Sequence, residues 1–108
     1  MKPLRERDIE RHLVKRVKEL GGEVRKLRWI GRNGAPDRVV MLQSKSCEPG
    51  VYFFRPPFWV ELKAPGKLAT FPADAHERKQ DREHRWMRMM GQRVVVIDSI
   101  EGVEELLR

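Results

Sequence analysis

Two short apolar segments in the middle of the chain, 38–42 and 58–63, constrain its fold more than any other feature. Both have the β-branched and aromatic composition of strands, and the turn signal Pro49-Gly50 lies between them. If the segments pair as an antiparallel hairpin about that turn, position 37 lies opposite position 61, because position 49 is their midpoint. The sequence therefore predicts that Asp37 and Glu61 lie close together.

The remainder of the chain divides into helices and strands separated by Gly and Pro. Residues 43–50 are predicted to be a polar connection, and the apolar residues 51–54 are predicted to begin the returning strand. A bulge or an edge is expected at 55–57, because proline cannot donate to a sheet. Other predicted elements are a helix over 4–20, a strand over 23–29, a helix over 74–90, a strand over 93–98 and a terminal helix ending at Leu107. The order α-β-β-β-α-β-α indicates an α/β fold.

Length and composition predict one domain, residues 1–108, with one core. Hydrophobic residues make up 40% of the 108 residues, which is enough for a folded chain. No window approaches the ~18 uninterrupted apolar residues of a membrane span, and the N-terminus leads into charge rather than a signal-peptide core. We therefore expect a soluble cytoplasmic protein without a membrane partner. Cys47, the single cysteine, is interpreted as a reduced loop residue, and structural zinc is not expected.

A basic excess points to an acidic partner. The chain has 23 Lys and Arg against 16 Asp and Glu, a net charge of +7. Nucleic acid is the commonest partner of such a domain, because Lys and Arg release counterions from phosphates. A solvated surface of mixed charge is the alternative.

The carboxylates of Asp37 and Glu61 are candidates for a metal site. Two carboxylates this close repel each other unless a cation lies between them, and Mg²⁺ or Mn²⁺ suits oxygen ligands. Lys63 is two residues beyond Glu61 and so on the same face of the strand. A metal held by carboxylates beside an ammonium suits phosphodiester hydrolysis. Ordinary ion pairs, Glu61 with Lys63 or Asp37 with Arg38, are the alternative.

Glu10 is the one carboxylate predicted on the apolar face of the first helix. At 100° per residue it falls about 100° from Ile9, within the arc of the apolar residues. A carboxylate placed there needs a partner.

Four segments together resemble the VRR-Nuc family, a branch of the PD-(D/E)xK nuclease superfamily whose stand-alone members come typically from phages and bacteria. They are GAPDRVV at 34–40, VELKAPG at 60–66, KQ at 79–80 and VVVID at 94–98. The resemblance implies a restriction-endonuclease-like core, a mixed sheet flanked by helices, and divalent-metal-dependent DNA cleavage. It further implies a homodimer that resolves four-way (Holliday) junctions. The stretch 43–57 is longer and more aromatic than the family pattern.

The resemblance also implies residue roles. Asp37, Glu61 and the backbone carbonyl of Leu62 would hold the Mg²⁺ or Mn²⁺, and Lys63 would be the catalytic lysine. Glu10 would complete the metal site directly or through water, and Gln80 would face the active site. Flap or duplex cleavage, and a DNA-binding module without activity, are the alternative functions.

Further side chains are also candidates for function or for packing. His84 is either a proton shuttle or phosphate contact, or a structural histidine, and the apolar cluster 51–59 is core, dimer interface or a wedge at the junction. Trp86, Met89 and Met90 are core or interface. The candidate phosphate contacts are Arg25, Lys26, Arg28, Arg32 and Arg38. The acidic residues expected to pair with the bases of a solvated outer face of the 74–90 helix are Glu77, Asp81 and Glu83.

Overall fold

A four-stranded mixed sheet carries the candidate site in the computed structural model, which describes residues 3–108 apart from the side chains at 45–47 and 52. The helices are α1 (Glu6–Glu19), α2 (Ala75–Met89) and α3 (Ile100–Leu107), with a short 3₁₀ turn at Leu68–Thr70. The strands are β1 (Glu23–Lys26), β2 (Arg38–Met41), β3 (Lys45–Glu48), β4 (Val51–Phe53), β5 (Phe58–Leu62) and β6 (Val94–Ile97). None of the helices in residues 3–108 is long and apolar enough to cross a membrane.

The main sheet has the order β1-β2-β5-β6. The β1–β2 and β2–β5 pairs are antiparallel, and β5–β6 is parallel, so the sheet is mixed, as predicted. In the β2–β5 pair Arg38 is opposite Val60 and Val40 is opposite Phe58. Continued by one residue, this register places position 37 opposite position 61. The predicted register is confirmed.

The segment between β2 and β5 differs from the prediction. Residues 43–57 do not simply connect and extend the returning strand, because β3 and β4 pair with each other in a separate two-stranded sheet. Pro56 and Pro57 cannot donate hydrogen bonds to a ladder, so the chain joins the main sheet only from Phe58 onward. Cys47 belongs to β3 rather than to a loop, and its side chain lies outside the described part of the chain.

The predicted apolar clusters divide between core and surface. Phe58 is buried, whereas Phe53 is 55% and Phe54 is 79% exposed, so the core interpretation of 51–59 is wrong for these two phenylalanines. Met89 and Met90, 79% and 57% exposed, are also outside the core. Trp86 is half exposed as well.

The core lies between the sheet, α1 and α3. Ile9, Leu13 and Val17 of α1 are fully buried, and they pack with Val60 of β5 and Val103 of α3. The helix α2 is different, because polar residues dominate its buried face. These polar residues of α2 are Glu77, Gln80 and His84.

Candidate active site

Alternation along β5 separates the core from the site. Val60 and Leu62 belong to the core cluster, whereas the side chains of Glu61 and Lys63 contact residues of α2. Side chains of successive strand residues point to opposite faces of a sheet, which explains this division. The predicted placement of Glu61 and Lys63 on one face is confirmed.

The loop before β2 is held against α2, which brings Asp37 to this end of the sheet. Gly34 has φ +85°, and a Cβ there would lie 2.7 Å from the backbone oxygen of Lys79, so only glycine fits without displacement. Pro36 is fully buried, and its carbonyl accepts a hydrogen bond from Trp29 Nε1 at 2.8 Å. The side chain of Asp37 that follows is about half exposed.

Arg38 connects two of the predicted acidic residues. Its Nε and Nη2 donate to Glu10 Oε1 at 3.1 and 2.8 Å, and its Nη1 forms an ion pair with Asp37 Oδ1 at 2.7 Å. Burial lowers the pKa of Arg38, but the hydrogen bond to Glu10 and the charges of both carboxylates outweigh it and raise the pKa above its usual range. The Asp37–Arg38 ion pair, weighed as the alternative to a metal site, is present.

Lys63 is held by two acceptors on α2. Its Nζ donates to Gln80 Oε1 at 2.5 Å and lies 3.1 Å from Glu77 Oε2 and 5.3 Å from the centroid of the Phe71 ring. The backbone N–H of Ala73, followed by the Lys63 ammonium, lowers the pKa of Glu77. The charged Glu77 carboxylate and the Gln80 amide oxygen therefore fix Lys63 in the site.

Glu77 is the site residue that the sequence interpretation missed. It was expected to pair with bases on the outer face of α2, but it is buried against Lys63. On a helical wheel it falls about 60° from Gln80, on the same side as His84 at about 40°. The helical wheel alone would therefore place Glu77 on the same side of α2 as Gln80 and His84.

Glu61 is paired with a histidine. Its Oε1 lies 3.2 Å from His84 Nε2, and the His84 ring is fully buried and stacked on Phe71 with centroids 5.9 Å apart. His84 Nδ1 is buried and makes no hydrogen bond with any other described residue. The structure thus places His84 beside a predicted metal ligand.

The candidate phosphate contacts are in different environments. Lys26 at the end of β1 and Arg28 beyond it are exposed, whereas Arg32 makes a two-pronged ion pair with Glu83 at 2.7–3.1 Å. Arg38, the remaining candidate near the site, has a side chain that is 10% exposed and turned toward Glu10. It lies opposite Val60 in the sheet, on the face that packs against α1, and this position buries it.

The oxygen donors partly fit the predicted metal site. The β2–β5 register, continued by one residue, brings Asp37 opposite Glu61, and the side chain of Leu62 lies in the core, so Leu62 offers only its main-chain groups, of which the carbonyl oxygen is the one acceptor. Oxygen donors suit a hard cation. Glu10 accepts hydrogen bonds from Arg38 in this structure, and among the side chains that the structure describes no group of three or more His, Cys, Asp or Glu is arranged to hold a metal ion.

Comparison with known proteins gives relatives over nearly the whole chain. No family model matches. The chain is 38% identical over 99 residues to "Putative nuclease p44" of Acyrthosiphon pisum secondary endosymbiont phage 1, covering 92% of this chain and 88% of the relative. A solved VRR_NUC domain superposes with a TM-score of 0.64 at 31% identity, over 94% of this chain and 92% of that domain.

The mixed sheet, with an aspartate before one strand and Glu-Leu-Lys on its neighbour, defines a restriction-endonuclease-like protein of the PD-(D/E)xK type. Within that class the chain belongs to the VRR-Nuc family of nucleases.

Proposed function

We propose that this protein is a divalent-metal-dependent DNA endonuclease that hydrolyses phosphodiester bonds. The observation that carries the proposal is the β2–β5 register, which continued by one residue brings Asp37 opposite Glu61, together with the contacts of Lys63 to α2. Membership of a nuclease family supports it. DNA is also the partner that the net charge of +7 favours.

Each polar group of the site has a role in this proposal. Asp37, Glu61 and the Leu62 carbonyl would hold Mg²⁺ or Mn²⁺, which lowers the pKa of the attacking water and polarises the phosphate. The Lys63 ammonium stabilises negative charge that develops on the phosphate oxygens. Gln80 and Glu77 hold Lys63 in position, and His84 orients Glu61.

We further propose that the substrate is a four-way junction and that the protein acts on it as a homodimer inside the cell. A dimer with twofold symmetry presents two equivalent sites, which suits cleavage of two strands of a symmetric junction. Lys26 and Arg28, which are exposed, would contact phosphates, and Arg32 would do so by exchanging Glu83 for a phosphate.

The direct test is incubation of the purified protein with a labelled four-way junction in Mg²⁺ or Mn²⁺, with and without EDTA. We expect cleavage in at least one metal and none with EDTA. A flap and a plain duplex in the same assay test the preference for junctions.

Asp37→Asn should abolish cleavage while junction binding stays equal or becomes tighter. The change removes a predicted ligand and a negative charge, while Arg38 keeps its hydrogen bonds to Glu10. Asp81→Asn is the matched control, because Asp81 pairs only with the exposed Arg85 among the residues described. Loss of binding by Asp37→Asn would show that Asp37 is structural.

A DNA-binding module without activity is the second candidate. It is favoured by the Arg38 contacts, which engage the carboxylates of both Glu10 and Asp37. Junction binding without cleavage in either metal would support this candidate and contradict the endonuclease.

A further inference from the structure

One face of α1 carries a row of bases that the predicted site does not include. We call it the basic stripe, and it consists of Arg7, Arg11, Lys15 and Lys18. On a helical wheel these four lie within about 80° of each other, on the side away from the buried residues Ile9, Leu13 and Val17. All four are exposed.

The histidine and arginine of α1 outside the stripe are paired with carboxylates. His12 and Arg16 both bind Glu104 of α3, at 2.7 and 2.9 Å, and Arg16 also binds Glu19. None of the stripe residues forms an ion pair with another residue in the described range 3–108. Asp8 and Glu19, which border the stripe, are bound to Arg5 and Arg16. Uncompensated positive charge is therefore concentrated on this face.

The stripe lines two grooves that share Val14, and the first of them includes Glu10. The first, of about 380 Å³, is lined by Arg7, Glu10, Arg11, Val14 and Lys15. The second, of about 240 Å³, shares Val14 and continues past Lys18 to residues 22–25.

Glu10 links the first groove to the site, because it binds Arg38, which in turn contacts Asp37. The stripe thus leads away from the predicted point of cleavage.

We propose that the basic stripe binds the phosphate backbone of a DNA arm that extends from the cleaved bond. From Arg7 to Lys18 the helix rises about 16 Å, at 1.5 Å per residue. Phosphates of one strand are spaced ~3.4 Å along the duplex axis, so this length corresponds to about five phosphates. The proposal rests on the proposed function only in taking DNA as the partner.

The test measures junction affinity in EDTA, where binding is separated from cleavage, between 50 and 200 mM salt. The stripe variant is R7Q/R11Q/K15Q. The control is R78Q/R82Q/R85Q, which removes the same charge from exposed positions on the side of α2 away from Gln80. Gln is nearly as good a helix former as Arg or Lys, so both variants should fold, and circular dichroism verifies it.

We expect the stripe variant to bind more weakly than wild type, with a log–log salt slope about 2.7 smaller in magnitude, since each phosphate contact contributes ~0.9. The ratio of its Kd to the wild-type Kd should therefore fall about 40-fold between 50 and 200 mM salt. The control should keep the wild-type slope, and R7K/R11K, which keeps the charge, should keep the wild-type affinity.

A stripe variant with the wild-type slope, or a control that loses as much affinity, overturns the stripe proposal and leaves the endonuclease proposal standing. A wild-type protein that does not bind DNA in EDTA at any of these salt concentrations overturns the stripe proposal too. Cleavage in Mg²⁺ or Mn²⁺ then decides the endonuclease proposal separately.

Discussion

Arg38 joins the two acidic groups that the family resemblance would place at one metal ion. Its side chain is 10% exposed and lies 2.8 Å from Glu10 and 2.7 Å from Asp37. A buried charge without a partner is strongly destabilising, so the guanidinium requires these carboxylates. We infer that Glu10 acts on the site through Arg38, by fixing the position from which Arg38 holds Asp37.

Glu10→Gln should therefore lower stability as well as cleavage. Arg38 loses one of its two charged partners, and we expect the free energy of unfolding to fall by about 1–2 kcal/mol. The melting temperature should fall by ~4–8 °C per kcal/mol. If Glu10 acts only through Arg38, added Mn²⁺ should not restore the cleavage rate, because Asp37 and Glu61 remain. Thermal unfolding measures the melting temperature, and a Mn²⁺ titration of single-turnover cleavage measures the rescue. Glu6→Gln, at an exposed position of α1, is the control. Rescue by Mn²⁺ at an unchanged melting temperature would identify Glu10 as a ligand.

The contacts of Lys63 and Glu61 show which site residues a sequence can reveal. The spacing in Glu-Leu-Lys places both side chains on one strand face, and the structure agrees. The burial of Arg38 was not foreseen, because a base next to a predicted metal ligand suggested a phosphate contact. Arg38 lies two residues before Val40 and opposite Val60. Its side chain is therefore on the face of the sheet that packs against the core. Tertiary pairing with α1, which sequence alone does not show, decided its role.

The helices α1 and α3 are joined by a cluster of charges around Glu104. Hydrogen bonds from His12, and next from Arg16, lower the pKa of Glu104 below its usual 4.5. A carboxyl group whose pKa is lowered by folding stabilises the folded state above the unfolded pKa, and this contribution is lost as the pH falls through the folded pKa. The contact between α1 and α3 should therefore weaken in acid.

Glu104→Gln tests this contribution. At pH 7 the variant should be slightly less stable than wild type, because the partners are partly exposed and such pairs contribute little. As the pH falls below about 4.5 the two melting temperatures should converge. Thermal unfolding from pH 7 to pH 3 measures the difference. A difference that stays constant down to pH 3 would mean that the Glu104 charge is not the cause.

The pairing of β2 with β5 was predictable from the sequence, whereas the separate β3–β4 hairpin between them was not. Symmetry about position 49 correctly paired β2 with β5. The same symmetry also permits β3 and β4 to pair around the Pro49-Gly50 turn, and the pattern does not reveal that these strands form a sheet of their own. Pro56 and Pro57 lie between β4 and β5 and cannot donate main-chain hydrogen bonds. They therefore separate the small β3–β4 sheet from the main sheet.

Charge is distributed unevenly over the molecule. The net +7 includes bases that neighbouring carboxylates neutralise, such as Arg32 with Glu83 and Arg16 with Glu104. The bases of the basic stripe lack such partners within residues 3–108. A nuclease that must hold a cation and also attract DNA needs this separation, because acidic ligands placed openly on the DNA surface would repel phosphates.

The hairpin of β3 and β4 is the surface that we propose for the contact between the two copies of the proposed homodimer. A two-stranded sheet alone is at best marginally stable in water, and this one is not paired with the main sheet. Phe53 and Phe54 are largely exposed, and Phe54 lines a cavity of about 390 Å³ together with Leu42, Phe58 and Leu106. A partner that covers these groups would stabilise the hairpin, and twofold pairing would bury them on both copies.

F53S/F54S should therefore convert the proposed homodimer into a monomer. Wild type should sediment at twice the chain mass of 12.8 kDa and the variant at that mass. M89S/M90S is the matched control: its residues are 79% and 57% exposed, against 55% and 79% for Phe53 and Phe54, and it should remain dimeric. On a four-way junction the monomeric variant should nick single strands where wild type makes paired cuts, since the two active sites no longer act in one complex. Dissociation of M89S/M90S alone would place the interface on α2, whereas a monomeric wild type at micromolar concentration would contradict the homodimer itself.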